Sequence, residues 1–391
     1  MSDEHQNDGG RPQPQRSGGA GGGIPMGAPF GIPIVVSPTW FLIAAFITYY
    51  FGQQISDADF GNWRYAIAFG FAVLLYLSVL LHELAHSVVA KSFGLPVRRI
   101  VIYFLGGVSE IEKEPDTPGR EFAVAVAGPA LSFALGGIFF GVWKLIDHPT
   151  SSVAMASLQY LVTALWVSNM VVGVFNMLPG LPLDGGRVLR SAVWAVTRRP
   201  LAGTQAAAWT GRALAVGVLI YAMATTRNAT SGSGLYTLVW AAFIASFIWI
   251  GASQSLTVAK LRERIPTLHA RTLTRRAIPV AADVPLSEAL RRAAAAGARS
   301  LLVVDHDGRP TAIVHEAAVA DTPLERHPWV QVGMLSRALR PGLTLTTELS
   351  GESLLQALRA TPAPEYLVTE PDGAIYGVLA ASDVEHAFLG R

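Results

Sequence analysis

Residues Ala66 to Val89 form an apolar run long enough to cross a bilayer, since about 20 helical residues span the hydrocarbon. Yet the run carries two imidazoles and a carboxylate, in Leu81-His82-Glu83-Leu84-Ala85-His86-Ser87. Ionisable groups at such depth are costly and by default mark function. At 3.6 residues per turn, His82 and His86 share one helix face and Glu83 sits beside them. Either these groups bind something, or they are hydrogen-bonded to neighbouring helices.

The rest of the chain is consistent with a membrane setting. Of 391 residues, 51% are hydrophobic and only 15% charged, where soluble domains carry about 25% charged residues. The deficit lies in the middle of the chain; the last third is ordinary. Six apolar spans are expected, near 38–51, 65–93, 122–146, 158–178, 206–224 and 235–256, the first of them short for a bilayer. Lys91, Arg98 and Arg99 follow the second span, Arg187, Arg190, Arg198 and Arg199 the fourth, and Lys260, Arg262 and Arg264 the sixth. The positive-inside rule then predicts a multi-pass protein of the cell membrane with both termini cytoplasmic. It also puts His82 and His86 in the inner half of their helix. A net charge of +2 with no basic tract argues against nucleic acid, and the absence of cysteine excludes disulfides and thiolate metal sites.

Residues 1–30 are polar and rich in Gly, Pro, Gln and Ser, a composition that predicts a disordered tail. Residues 31–258 form the membrane domain, 259–270 a linker, and 271–391 a soluble domain. After the second span, Arg99–Leu105 and Val108–Glu112 read as a β-hairpin around Gly106-Gly107. Such a hairpin must pack on protein or lie at the interface, because an open edge cannot face lipid. In the last domain Leu301–Gly308 aligns without gaps with Tyr366–Gly373. Helical stretches precede both, at Leu286–Ala296 and Glu352–Ala360, so a tandem βαββα repeat of about 65 residues is expected. The predicted fold class is a polytopic α-helical membrane protein of about six transmembrane helices with a membrane-associated β-hairpin, plus a soluble α/β domain.

His-Glu-x-x-His on a helix suits a zinc ion held by two neutral imidazoles, with the glutamate as general base. A catalytic zinc needs a third protein ligand and an open position. Glu110, Glu112 and Glu114 lie in or after the hairpin. Asp184 follows the fourth span directly, in Pro179-Gly180-Leu181-Pro182-Leu183-Asp184-Gly185-Gly186, where Pro179 and Pro182 break the helix and the glycines free the backbone. Asp184 is equally suited to capping the helix that starts at Gly185.

Taken together, His-Glu-Leu-Ala-His in one span, Gly128-Pro129-x-x-Ser132 in the next, and Asn176-x-x-Pro-x-x-Pro-Leu-Asp-Gly-Gly after the fourth resemble the site-2 protease family of intramembrane zinc metalloproteases. The C-terminal repeat resembles a CBS pair, a combination found in one subgroup of that family. The resemblance implies one zinc per chain on His82, His86 and Asp184, with Glu83 as general base. Asn176 would position substrate or steady the oxyanion. Leu105, Gly106, Gly107 and Val108 would offer an edge strand to an unwound substrate by β-augmentation. Gly128, Pro129 and Ser132 are read as residues of close packing. The implied activity is hydrolysis of a peptide bond in or near a transmembrane segment of a membrane-bound regulatory protein, such as an anti-sigma factor or a membrane-held transcription-factor precursor. CBS pairs associate side by side, implying a homodimer, and commonly bind adenine nucleotides; of the expected contacts this chain keeps only Asp383, with His315, Ala318 and Ala380 at the other places. The rival class is a CBS-regulated metal or ion transporter using His82, Glu83 and His86, but no second copy of either motif segment occurs, as transporter repeats would require.

Overall fold

The computed structural model describes residues 23–56, 60–104, 106–227 and 233–390. By packing, the chain divides into two compact units, residues 1–252 and 253–391.

The first unit begins with a small sheet. Strands β1 (Ile24–Gly27) and β2 (Ile34–Val36) precede helix α1 (Thr39–Gln54); helix α2 (Trp63–Ser92) leads into β3 (Val97–Tyr103) and β4 (Gly106–Ile111). The strand order is β1-β2-β3-β4, with β2 and β3 parallel (Ile34 opposite Ile100) and β3 and β4 antiparallel (Val101 opposite Val108). The expected hairpin is therefore half of a four-stranded sheet, and Gly106 and Gly107 belong to β4 rather than to the turn. Leu105 lies outside the described residues.

Ile24–Gly27 falls in the stretch expected to be disordered, and the structure corrects that boundary. All four residues are exposed; what orders them is antiparallel backbone pairing with β2, which needs no side-chain burial and leaves no mark in composition. Residues 1–22 of the expected tail lie outside the described residues.

Helices α3 (Pro118–Ile146), α4 (Val153–Asn176), α5 (Asp184–Thr197), α6 (Pro200–Thr226) and α7 (Ser233–Arg264) follow. Among the described helices, α2, α3, α4, α6 and α7 are long and apolar enough to cross a membrane. Helix α1 has 16 residues, about 24 Å, short of the ~30 Å hydrocarbon core. Four-residue spacing gives α2 two working stripes. Tyr76, Leu80, Leu84 and Val88 pack on the sheet core of Ile32, Ile34, Ile100 and Ile102. Ser78, His82, His86 and Ala90 form a second buried row.

The second unit contains α8 (Ala270–Leu273), β5 (Ala277–Ala281), α9 (Leu286–Ala295), β6 (Ser300–Val304), β7 (Pro310–Val314), α10 (Glu316–Ala320), β8 (Ser336–Ala338), β9 (Thr344–Thr346), α11 (Gly351–Ala360), β10 (Glu365–Thr369), β11 (Ile375–Ala380) and α12 (Ala381–Leu389). These are the expected repeats, each with an antiparallel pair turning at a positive-φ glycine, Gly308 (φ 76°) or Gly373 (φ 88°). The halves interlock. β8 of the second repeat pairs with β7 of the first, and Arg275 exchanges backbone hydrogen bonds with Val378 at 2.9 and 3.0 Å. The stretch expected as a linker is largely helical: α7 runs to Arg264, and a 3-10 turn at Ile265–Thr267 leads to α8. Lys260-Leu261-Arg262-Glu263-Arg264 are all good helix formers, so charge there ended the apolar span without ending the helix.

Candidate metal centre

Helix α2 carries His82 and His86 on successive turns, both about 4% exposed. The Nε2 atoms lie 3.2 Å apart, and Asp184 Oδ2 lies 3.2 Å from each. An equilateral triangle of that edge is one face of a tetrahedron whose bonds are 2.0–2.1 Å, the zinc–imidazole and zinc–carboxylate range, for which the edge is about 3.3 Å. The donor chemistry agrees. The backbone carbonyl of Val124 can only accept, so His86 Nδ1, 2.6 Å away, carries the ring proton and Nε2 presents its lone pair to the centre. His82 Nδ1 meets the Ser132 hydroxyl at 2.8 Å. Such outer partners fix tautomer and ring orientation in metal sites. His82, His86 and Asp184 are the group among the described residues that could hold a metal ion.

Helix α3 explains why the imidazoles fit. A Cβ on Gly128 would stand 2.5 Å from His82 Nε2 and closer still to His86 Nε2, so the glycine is what leaves room for both. The Gly-Pro-x-x-Ser motif, read as packing, thus includes a glycine against the ring nitrogens and a serine that orients His82.

Asp184 is the first residue of α5 and makes no capping bond; its carboxylate faces the histidines. The capping alternative is therefore not realised. Gly185 and Gly186 also act differently from the expectation, for neither has a positive φ. A Cβ on Gly185 would collide with the carbonyls of Met177 and Leu178, and one on Gly186 with the Gly180–Leu181 backbone. Close approach, not conformational freedom, is what they supply. Asn176 ends α4, immediately before that packed segment; it is half-buried, and its amide makes no hydrogen bond among the described residues.

Glu83 points toward β4. Ser109 Oγ donates to Glu83 Oε2 at 2.8 Å, Ser87 Oγ donates to Ser109 Oγ at 3.0 Å, and a Cβ on Gly107 would lie 2.5 Å from Glu83 Cγ. Gly107 and Ser109 thus sit directly beside the carboxylate, while Val108 is 41% exposed.

A family model described as "Peptidase family M50" matches residues 70–148 and 144–220. A Synechocystis sp. protein that bears the name of a zinc metalloprotease is 30% identical over 373 residues, covering 92% of this chain and 94% of that one. The chain belongs to peptidase family M50, the site-2 protease family of zinc metalloproteases. A solved site-2 protease from Methanocaldococcus jannaschii is 29% identical, with a TM-score of 0.42 over 60% of this chain and 95% of that one. A solved CBS domain of a bacterial CNNM/CorC family Mg2+ transporter matches at 14% identity and TM-score 0.28, over 41% and 98%.

This site-2 protease is a multi-pass membrane protein, of a family that acts on membrane protein substrates. In its tail, Asp383 pairs with Arg275. Both carboxylate oxygens accept from Arg275, Nε to Oδ2 and Nη2 to Oδ1 at 2.5 Å each. Arg275 also pairs with Glu316, which accepts from Ser300 Oγ at 2.9 Å. The Asp383 bond foremost, and Glu316 with it, hold the guanidinium pKa above its usual value. Sequence reasoning overlooked the Val124 carbonyl, Ser109 and this arginine. A backbone carbonyl has no sequence signature at all, and a lone serine within a strand reads like any other.

Proposed function

We propose that this protein is an intramembrane zinc endopeptidase that cuts a peptide bond in or near a transmembrane segment of a membrane-bound regulatory protein. The observation that carries the reading is the 3.2 Å triangle of His82 Nε2, His86 Nε2 and Asp184 Oδ2 with Glu83 beside it. His82, His86 and Asp184 would hold one zinc. When bound, zinc supplies a Lewis acid that polarises the scissile carbonyl and lowers the pKa of water.

Glu83 takes the proton of the attacking water and passes it to the leaving nitrogen, a role worth roughly 10²–10⁴ in rate. Ser109 holds one of its carboxylate oxygens, leaving Oε1 for the proton. Asn176, with an uncommitted amide, steadies the substrate or its developing oxyanion. A substrate helix has its backbone bonded internally and must unwind before cleavage. The unwound segment adds to β4, the edge strand of its sheet among the described residues, beside Glu83.

The charge pattern of the loops supports a cell-membrane setting with both termini cytoplasmic. Residues 31–258 form the protease domain and 271–391 a CBS-pair domain through which two chains associate. The substrate class proposed is an anti-sigma factor or a membrane-held transcription-factor precursor.

The test is cleavage in proteoliposomes. Wild-type protein and Glu83→Gln are reconstituted with a single-span substrate, and both are assayed for zinc. Loss of cleavage in Glu83→Gln at one zinc per chain is the expected result. Equal cleavage by both proteins would sink the reading.

A further inference from the structure

Near the start of α3, Glu121 is fully buried. Its Oε1 accepts from Arg187 Nε at 3.1 Å and lies 3.5 Å from Arg190 Nη1; Arg190 Nη2 donates to Glu114 Oε2 at 2.6 Å. Glu121 Oε2 has no partner among the described residues. A buried ion pair contributes little to stability compared with an apolar replacement, so its place in the fold calls for another account.

That place is specific. Glu121, Val124, Gly128 and Ser132 succeed one another at steps of three and four residues, which puts them on one face of α3. Val124 orients His86, Gly128 admits both Nε2 atoms, and Ser132 orients His82. The remaining member of the stripe holds α5 through Arg187 and Arg190, which follow Asp184 by three and six residues. Gly185 and Gly186 bring the first turn of α5 close to the 177–181 backbone, but contact between bare backbones does not fix the roll of the helix about its axis. A roll of about 20° would move a carboxylate held ~5 Å from the axis by ~1.7 Å, beyond the ~0.5 Å tolerance of a functional site.

We propose that Glu121 is a positioning residue for Asp184: paired with Arg187 and Arg190, it sets the roll of α5 so that the aspartate meets the two imidazoles. A single face of α3 then aligns all three side chains of the centre. The inference rests on the reading of that centre as a zinc site.

The test uses the full-length protein in detergent, as Glu121→Gln and, independently, as Arg187→Lys, which keeps the charge but loses the planar fork. Zinc affinity is measured by competition with a chelator, coordination by the visible spectrum of the cobalt-loaded protein, and folding by the Tm of the metal-free protein. The expected result is zinc binding weakened ~10–100-fold and an altered cobalt spectrum, with the metal-free Tm retained. Wild-type affinity and spectrum in the folded variants would overturn the proposal. So would affinity lost only in step with the metal-free Tm, or failure of both variants to fold, since Glu121 would then be holding the fold rather than the ligand. If the wild-type protein itself takes up no zinc, it is the metalloprotease reading that fails.

Discussion

His86 Nδ1 donates to the Val124 carbonyl at 2.6 Å, a bond from the second span of the chain to the backbone of the third. No substitution removes a carbonyl, but its counterpart at His82 is a side chain, Ser132. Replacing Ser132 by Ala leaves His82 Nδ1 without a partner inside a buried site. Zinc affinity should fall ~10–100-fold at little cost to the fold, because one hydroxyl is exchanged for a hydrogen. Chelator competition on the purified variant measures this, and an unchanged dissociation constant would contradict the orienting role.

Ser109 ties β4 to Glu83 without a hydrogen bond to His82, His86 or Asp184. A hydrogen bond to a charged group contributes about 1.5–3 kcal/mol, so Ser109→Ala should lower kcat ~10–100-fold. Zinc content should stay at one per chain. Cleavage kinetics alongside metal analysis separate this outcome from a metal-binding defect.

In the tail, Asp383 is engaged at both oxygens by Arg275, so a ribose would have to share or displace that pair. Millimolar AMP, ADP or ATP should leave the thermal unfolding of the full-length protein unshifted. Arg275→Ala removes a fork shared by Asp383 and Glu316, across the two repeats, and should destabilise the tail by about 1.5–3 kcal/mol. Differential scanning calorimetry reads both effects. A nucleotide-dependent rise in Tm in the wild-type protein would return Asp383 to a ligand-binding role.

Much of this architecture is legible because hydrophobic periodicity and turn glycines are local properties. The apolar runs locate α2 to α4, α6 and α7, and the two Asp-Gly turns align the tail repeats. His82 and His86 are legible as a pair because a helix fixes their separation. Asp184 is different. Nothing within its own segment distinguishes a cap from a ligand; its carboxylate is set by tertiary packing, with Gly185 and Gly186 against the 177–181 backbone and Arg187 and Arg190 against Glu121 of another helix. Gly128 reads as a packing residue for the same reason, since the atoms it admits lie in another helix. The strand at Ile24–Gly27 escapes notice because backbone pairing alone holds it.

Among the described residues β4 is an edge strand of its sheet, and that edge leads to a prediction about the substrate. Ile100 N donates to Pro33 O at 2.8 Å and Ser37 N donates to Ile102 O at 2.7 Å, so Ile100 and Ile102 face β2. By the alternation of a strand, Val101 and Tyr103 face β4, and Val108, opposite Val101, is committed to the sheet. The groups left for an added strand belong to Gly107 and Ser109, whose side chains or Cα adjoin Glu83. Proline at Val108 would therefore disrupt the sheet itself rather than test substrate capture. The clean probe is the substrate: a series of extended peptides spanning the cleavage site, each N-methylated at one residue. If strand addition operates, cleavage should be lost at alternate positions and retained between them, following the two-residue period of a β-strand. Uniform tolerance of N-methylation, measured by product analysis across the series, would exclude β4 as the receiving edge.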